Sequence, residues 1–393
     1  MRQRDSNSQP RVLHVTNIPT PYRLPQYRAF TRALAAEGIG LTIYFIGSGK
    51  RPRFWKISEA EFEGIETIHG TPGESIIKRT LGITRTIDAL KPSVVVLAWA
   101  MDPTALLVLW HCSARSIPCI VYTGETDDAA AQRSFSVVRD AFRKLFLKRA
   151  DGFVVYGASA ARYLRNRGVA TEKISTAINV VDTEFFTERS RELRVNGTAQ
   201  SERDEYRTRN NDAYAMHMLF VGELLELKGI PLLLEALAAT KRNDVALHIV
   251  GSGPQENELR ATCDRLGIAP DVYFHGYQQK PELPRFYALA DVLVFPSLKD
   301  VFGLVMVEGA ASGLPVIGST LAGGSIDIVI PGKSGYIVDP RNVDEFAEAI
   351  TRLATDQAMR DRMGIESQRH ALATLTPERS AQGYLEAIER LTR

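Results

Sequence analysis

The chain has 393 residues, of which 48 are basic and 46 acidic, and 45% of its residues are hydrophobic. This length accommodates two domains, each able to bury its own core, and the even charge balance creates no overall field that would favour nucleic acid as a partner. Three cysteines, Cys112, Cys119 and Cys263, lack the spacing of a disulfide framework or a metal site, so we expect them to be structural thiols in a reducing compartment.

The amino-terminal stretch MRQRDSNSQP, residues 1–10, is polar and lacks the apolar centre of a secretory signal. We expect it to be a disordered lead-in. The apolar run VVVLAWAM at 94–101 is far shorter than the roughly 20 residues that a membrane-spanning helix needs. These features predict a cytoplasmic protein.

The first half of the chain alternates short apolar runs with amphipathic segments. Alternating strands and helices predict a parallel sheet covered by helices on both faces. We therefore predict a first doubly wound domain over 11–186. Its predicted strands are RVLHVT (11–16), LTIYFIG (41–47), SVVVLAW (93–99), PCIVYTG (118–124) and GFVVYG (152–157).

A hydrophilic stretch at 187–213 interrupts this pattern and is predicted to be a linker. A second alternating series then predicts another doubly wound domain over 214–375, so the fold class is α/β with two parallel sheets. The segment 376–393 begins with Thr-Pro-Glu and has helical apolar spacing, which predicts a closing helix. The predicted strands of the second series are MHMLFVG (216–222), VALHIVG (245–251), DVYFHG (271–276), DVLVFPS (291–297) and PVIGS (315–319).

Two carboxylates, Asp300 and Glu308, flank a Gly-containing turn directly after the predicted strand at 291–297. A strand, a glycine loop and a helix form a unit whose helix N-terminus attracts anions such as phosphate. Carboxylates beside a phosphate suit the task of accepting hydrogen bonds from sugar hydroxyls. This pattern indicates a sugar nucleotide. The alternative, a solvated Glu308 and a helix-capping Asp300, remains open from the segment alone.

Further turns follow the other predicted strands in a specific order. Lys228-Gly229 follows the strand at 216–222, where a lysine could meet a phosphate. IVGSGP (249–254), FHGY (274–277) and GLPVI (313–317) complete the series.

With these motifs in this order, the chain resembles the retaining nucleotide-sugar glycosyltransferases of family 4, which have the GT-B fold. The resemblance covers 11–393 and is most specific over 216–340, including PGKSGYIVDP at 331–340. It implies two Rossmann-like domains facing each other across a cleft, with the closing helix crossing back to the first. It also implies transfer of a hexose-type sugar from a nucleoside diphosphate, with a UDP-sugar favoured, and no metal or further cofactor.

The resemblance also implies roles for individual residues. Glu308 would accept hydrogen bonds from the ribose diol, Asp300 would contact hydroxyls of the donor sugar, and Lys228 would neutralise the leaving diphosphate. The remaining predicted donor-binding positions are turn or helix-start residues: Gly222, Glu223, Gly251, Gly276, Tyr277, Phe302, Gly303, Leu304 and Val305.

Two positions depart from the family pattern. Asp300 stands where members usually have Glu, which shortens the reach of the carboxylate by about 1.5 Å. Glu223 stands where many members have Arg, and an acid there cannot bind the diphosphate. Either Glu223 turns away and Lys228 suffices with the helix N-terminus, or the donor binds differently, or activity is weak.

The first domain is expected to hold the acceptor, a hydroxyl compound such as a lipid-linked glycan or a small glycoside. The proline-rich loop at 16–30 places Tyr22 and Arg23 after the first strand, and Glu125 follows another strand. The alternative for this loop, a packed Tyr22 and a solvated Arg23, stays open. No general base is evident, and in the family the departing phosphate oxygen is usually described as taking the acceptor proton. Thr126-Asp127-Asp128 is read as a loop in preference to a metal motif.

The segment 133–149 combines six basic residues with apolar ones. It predicts either peripheral contact with anionic lipid on the inner face of the membrane or an ordinary core helix with a solvated basic face.

Two rival functions share the fold. A GT-B sugar-nucleotide epimerase needs acid–base side chains around the sugar ring, which the glycine turns do not provide. A catalytically weak or silent sugar-nucleotide-binding protein is favoured by Glu223 and Asp300.

Overall fold

The computed structural model describes residues 9–47, 59–71, 73–98, 103–127, 137–208 and 211–392. It separates into two compact units. The first consists of the residues up to Val180 together with those from Pro377 onward, and the second runs from Val181 to Thr376. Most of the predicted lead-in at 1–10 lies outside the described residues, as do 133–136 of the basic segment.

The first unit contains a seven-stranded parallel sheet with the strand order β3-β2-β1-β4-β5-β6-β7. The central strands are fully buried because helices cover both faces, which explains their continuous apolar sequences. The strands are β1 (Arg11–Thr16), β2 (Gly40–Phe45), β3 (Glu66–His69), β4 (Val94–Ala98), β5 (Cys119–Thr123), β6 (Gly152–Val155) and β7 (Ile174–Thr176).

The helices described in the first unit follow the alternation that the sequence predicts. They are α1 (Leu24–Ala36), α2 (Ile76–Leu90), α3 (Pro103–Ala114), α4 (Val137–Arg149) and α5 (Ala158–Arg165), with the closing helix α15 (Pro377–Thr392). Helices α2 to α5 bury apolar residues against one side of the sheet. Helix α1 and the closing helix cover the other side.

The closing helix α15 packs against the first sheet unit, as predicted. Tyr384 and Ile388 are buried among residues of β1, β4 and α1, and the Tyr384 ring lies 4.8 Å from that of Phe30. The buried Gln26 donates a hydrogen bond to Ser380 at 2.7 Å. The carboxyl end of the chain therefore completes the core of the domain with which the chain begins.

The second unit contains a six-stranded parallel sheet with the strand order β10-β9-β8-β11-β12-β13. Together the two sheets confirm the predicted α/β class with two Rossmann-like domains. The strands are β8 (Met216–Val221), β9 (Val245–Val250), β10 (Val272–Phe274), β11 (Val292–Phe295), β12 (Val316–Ser319) and β13 (Gly335–Val338).

Helices cover this sheet as well, and its main core lies between the strands and the helices α8, α9 and α13. The helices of the second unit are α6 (Thr183–Val195), α7 (Thr198–Arg203), α8 (Ile230–Ala239), α9 (Glu256–Leu266), α10 (Leu283–Leu289), α11 (Leu304–Ala311), α12 (Ser325–Ile328), α13 (Val343–Thr355) and α14 (Gln357–Thr374).

The predicted linker at 187–213 is instead largely helical and belongs to the second unit. Its charged side chains hold it in place. Arg194 donates to the backbone carbonyls of Tyr287 and Ser312 at 2.8 and 2.6 Å, and Arg203 forms a two-pronged pair with Asp291. A hydrophilic sequence can pack closely when its cations satisfy helix-end carbonyls and a partly buried acid, and this explains the wrong prediction.

Among the described residues, no helix combines the length and the apolar character needed to cross a membrane. The three cysteines are free and buried, which agrees with the structural roles expected for them.

Candidate functional site

Glycine turns follow three neighbouring strands at the carboxyl edge of the second sheet. The Gly251 amide donates to the carbonyl of Gly276 at 2.8 Å, and Gly222 donates to that of Val250 at 2.9 Å. Gly251 has φ +145°, and a Cβ placed on it would lie 1.8 Å from the Gly222 carbonyl oxygen. Only glycine allows this approach, so the turns after β8, β9 and β10 form one backbone surface.

The loop after β8 is fixed against the loop after β11. The Leu298 amide donates to the Leu227 carbonyl at 2.8 Å, and the Ser297 hydroxyl donates to the same oxygen at 3.2 Å. Gly229 has φ +66° and sits so close to Pro296 that an added Cβ would lie 2.2 Å from the Pro296 carbonyl oxygen. This packing places Lys228 next to the segment that carries Asp300.

Lys228 and Asp300 form an ion pair with 2.7 Å between Nζ and Oδ2, and both side chains are about four-fifths buried, at 19% and 22% exposure. The other oxygen of Asp300 accepts from the Phe302 amide at 3.0 Å, and the Asp300 carbonyl accepts from Gly323 at the same distance. The structure therefore brings together two residues with different predicted roles, Lys228 at the diphosphate and Asp300 at the hydroxyls of the donor sugar. In this state each neutralises the other.

Helix α11 begins at this loop. Gly303, with φ +89°, precedes the first helical residue and no side chain caps the helix there. Phe302 is buried, while Leu304 and Val305 in the first turn are half-buried. The first amides of a helix lack partners within it, so this end presents donors and positive potential next to Lys228.

Glu308 lies on α11, one turn into the helix, and is partly buried. The hydroxyl of Tyr287 donates to its Oε2 at 2.6 Å. Burial raises the pKa of the Glu308 carboxyl to about 7, although this hydrogen bond and the nearby Lys280 ammonium favour the ionised form. The Lys280 Nζ also lies 3.9 Å from Asp182. Glu308 is therefore a shielded carboxyl that titrates near neutrality, in contrast to the alternative of a solvated helix residue.

Two further predicted positions are on the surface of this edge. Glu223 is exposed, as is Tyr277, which keeps 43% of its surface accessible. Gly276 has φ +65°, and a Cβ placed on it would meet no other atom within 4 Å.

The predicted residues of the first unit lie at the carboxyl edge of its sheet. Arg23 is not a solvated side chain: it donates to the Tyr122 hydroxyl at 2.9 Å and to the Tyr156 hydroxyl at 2.5 Å. Tyr22 is half-buried, and Glu125 is buried with its amide bonded to the Thr123 hydroxyl at 3.0 Å.

Asp127, considered above with a possible metal motif, instead pairs with Arg167 at 2.7 Å and accepts from Asn166 at 2.9 Å. Its neighbour Asp128 lies outside the described residues.

Four residues of these sites were missed by the sequence analysis: Lys280, Tyr287, Tyr122 and Tyr156. Tyr122 and Tyr156 stand at or just after the ends of β5 and β6, a position from which side chains reach ligands in parallel sheets. Lys280 and Tyr287 carry no local signal, since only the tertiary fold, in which α10 and α11 both pack against α6, brings them to Glu308.

A chain of three histidines crosses the face of the second sheet opposite its main core. Nδ1 of His217 lies 2.9 Å from Nε2 of His248, and Nδ1 of His248 lies 3.0 Å from Nε2 of His275. Burial lowers the pKa of all three rings, to about 4 for His217, with a contribution from Arg203, and to about 4 for His275, with one from Arg285. The rings satisfy one another and are neutral at physiological pH.

Two doubly wound parallel sheets, with the glycine turns and helix start described above at the edge of the second, define the class of GT-B glycosyltransferases. The crystal structure of HepE from Anabaena in complex with UDP shares this fold, with a TM-score of 0.74 over 97% of this chain and 100% of that one at 16% identity. The chain belongs to glycosyltransferase family 4. Residues 26–185 match the model "Glycosyltransferase Family 4", and residues 202–370 match "Glycosyl transferases group 1".

Curated relatives match over part of their length. An uncharacterized glycosyltransferase of Methanocaldococcus jannaschii is 36% identical over 145 residues, which is 37% of each chain. A D-inositol 3-phosphate glycosyltransferase of Thermomonospora curvata is 34% identical over 237 residues, 56% of this chain and 53% of that protein. The matched segments thus span about a third to a half of these relatives.

Proposed function

We propose that this protein transfers a hexose-type sugar from a nucleoside-diphosphate sugar, with a UDP-sugar favoured, to a hydroxyl acceptor with retention of anomeric configuration. The observation that carries the proposal is the convergence of Lys228, Asp300 and the start of α11 at one sheet edge, with Glu308 one turn further on. The glycosyltransferase names of the relatives and the UDP in the HepE crystal support it.

The donor would bind along this edge. The base lies against the turn at Gly276 and Tyr277, Glu308 accepts from the ribose diol, and the diphosphate binds the first amides of α11. Lys228 leaves Asp300 and pairs with the diphosphate, since two negative phosphates attract the ammonium more strongly than one carboxylate does. Asp300 is then released to accept hydrogen bonds from the donor sugar.

The charge that develops on the leaving diphosphate is offset by Lys228 and the helix start, so the proposal needs no metal ion. The departing phosphate oxygen takes the acceptor proton while the acceptor oxygen bonds to the anomeric carbon on the face that the phosphate leaves. This step breaks one carbon–oxygen bond, forms another and needs no protein base. A lipid-linked glycan or a small glycoside is the acceptor class that we expect, and we place the protein in the cytoplasm.

A second function, donor binding without turnover, is favoured by the resting Lys228–Asp300 pair and by the exposed acid at Glu223. Donor binding and donor turnover separate the two. A thermal-shift screen of nucleoside diphosphates identifies the base, and UDP is expected to raise the melting temperature the most.

UDP-sugar cleavage is then followed with and without a panel of hydroxyl acceptors. Transfer with an α-linked donor giving an α-linked product supports the proposal. Saturable nucleotide binding without cleavage of the UDP-sugar, whichever acceptor is added, would establish the binding function. Interconversion of donor sugars would identify an epimerase.

A further inference from the structure

One arginine of the first unit has no negatively charged partner in the part of the chain that the structure describes. The Arg23 guanidinium donates to two phenol hydroxyls, those of Tyr122 and Tyr156, and lies 5.5 and 5.6 Å from the centres of their rings. No carboxylate among the described residues forms an ion pair with it. By contrast, Arg32, an exposed arginine on the following helix α1, pairs with Glu378 at 2.9 Å.

This arrangement leaves some of the hydrogen-bond donors of the Arg23 guanidinium free to bind a ligand. A guanidinium has five N–H donors in a planar fork that matches an oxyanion, and the two phenols take one donor from each terminal nitrogen. Phenols are neutral at physiological pH, so they orient the charge without cancelling it. A largely desolvated cation without a counter-ion is costly, and an anion placed against the fork removes that cost.

Other polar groups beside Arg23 also lack partners. Both ring nitrogens of the buried His14 are unpaired, and so is the hydroxyl of the buried Thr20 in the loop that leads to Arg23. Burial, with a smaller contribution from the Arg23 charge, lowers the pKa of His14 to about 3, so the ring stays neutral and does not compete for an anion as a second cation. A buried polar atom without a hydrogen-bond partner is rare in native proteins, and a bound ion or an ordered water is one of the few explanations for it.

The position of the group fits a ligand site. Arg23 follows β1, Tyr122 lies near the end of β5 and Tyr156 follows β6, so all three stand at the carboxyl edge of the parallel sheet. Ligands of such sheets bind at this edge. Arg23 itself remains partly accessible to solvent.

We propose that Arg23 binds an oxyanion of the acceptor, a phosphate or a carboxylate, and that Tyr122 and Tyr156 hold its fork in the binding orientation. This inference rests on the proposed function and specifies an anionic acceptor class. Arg23 is thus a specificity-determining residue for the acceptor.

The test uses the full chain and inorganic phosphate as the probe, with UDP present in excess so that the donor site is filled. Calorimetric titration of wild type is expected to show one phosphate bound, weakened at least tenfold in Arg23→Gln and less in Arg23→Lys, which keeps the charge but loses the fork. Arg32→Gln, which removes an equally charged but exposed and paired side chain from the neighbouring helix α1, should bind phosphate as wild type does. Acetate replaces phosphate in a second series and distinguishes a carboxylate-binding from a phosphate-binding site.

Equal weakening in Arg23→Gln and Arg32→Gln, or none in either, would overturn the proposal. If Arg23→Gln does not fold, NMR of the wild type replaces it, with the Arg23 guanidinium signal identified by its absence from Arg23→Lys. That signal should shift when phosphate is added, and a signal that does not move refutes the proposal. Failure of UDP to bind while phosphate still binds at Arg23 would count against the donor proposal alone. Binding of UDP without any effect of Arg23 on phosphate would count against this inference alone.

Discussion

The pKa of Glu308 makes nucleotide binding depend on pH in a way that can be calculated. Its carboxyl titrates at about 7 because burial penalises the charge more than Tyr287 and Lys280 favour it. If the ionised form accepts both ribose hydrogen bonds, affinity rises as the carboxyl loses its proton. Replacement by glutamine keeps the size of the side chain and removes the titration.

The size of the effect follows from the fraction ionised. That fraction is roughly one tenth at pH 6 and nine tenths at pH 8, so the apparent Kd for UDP should fall by up to about tenfold, or about 1.4 kcal/mol. This is an upper value, because a protonated carboxyl still accepts one hydrogen bond.

The free protein should respond in the opposite direction. A raised pKa in the folded state favours the protonated carboxyl, so the stability that Glu308 contributes is full below about 4.5 and is lost as the pH rises through 7. Glu308→Gln should therefore melt at a higher temperature than wild type above pH 7.

Calorimetric titration of UDP at pH 6, 7 and 8 and constant ionic strength measures the binding effect. A terminal phosphate has its own pKa near 6, but this contribution is common to wild type and mutant, so the ratio of their Kd values isolates Glu308. Glu282→Gln, an exposed acid nearby, is the matched control. Repeating the series with 2′-deoxy-UDP should reduce the difference, since part of the diol is missing. Identical pH profiles for wild type and Glu308→Gln would refute the reasoning.

Two other changes test the structure. Lys228→Ala should lower sugar-transfer turnover by about ten- to a hundredfold through the loss of a charge-assisted contact worth roughly 1.5–3 kcal/mol. The fold is kept because Asp300 retains its hydrogen bond from the Phe302 amide. Unchanged turnover, with the exposed Lys333→Ala as control, would contradict the role. Deleting 377–393 removes the buried Tyr384 and Ile388, each worth roughly 1.5–3 kcal/mol of burial, so the truncated chain should be poorly soluble; full solubility with an unchanged melting temperature would show that α15 is dispensable to the first core.

The strands of the sheet centres could be predicted because burial on both faces requires continuous apolar residues. RVLHVT at 11–16 coincides with β1, and MHMLFVG at 216–222 extends one residue beyond β8. Of the four edge strands, β10 is predicted by DVYFHG at 271–276, whereas β3, β7 and β13 are short, partly exposed and not predicted. Helices α6 and α7 were missed for a different reason: arginine contacts, rather than an apolar stripe, hold them.

The donor-edge residues were found because glycine turns and charged residues at strand ends are local in sequence. Their partners are not. The Lys228–Asp300 pair joins residues 72 positions apart, and the Arg23–Tyr156 bond joins residues 133 apart. The sequence spacing predicts which groups belong to each edge. Only the packing determines that Asp300 reaches Lys228 and that two phenol hydroxyls accept from Arg23.

The three-histidine chain behaves as a single unit in its proton positions. A neutral imidazole donates from one nitrogen and accepts at the other, so His217, His248 and His275 must all point their protons the same way along the chain. Reversing one tautomer reverses all three. One added proton fits at any ring, because the neutral neighbours can switch tautomer and accept from it. A second added proton forces two N–H groups to face each other and breaks a hydrogen bond. The chain of rings thus holds one added proton without losing a hydrogen bond, whereas a second proton costs one of them.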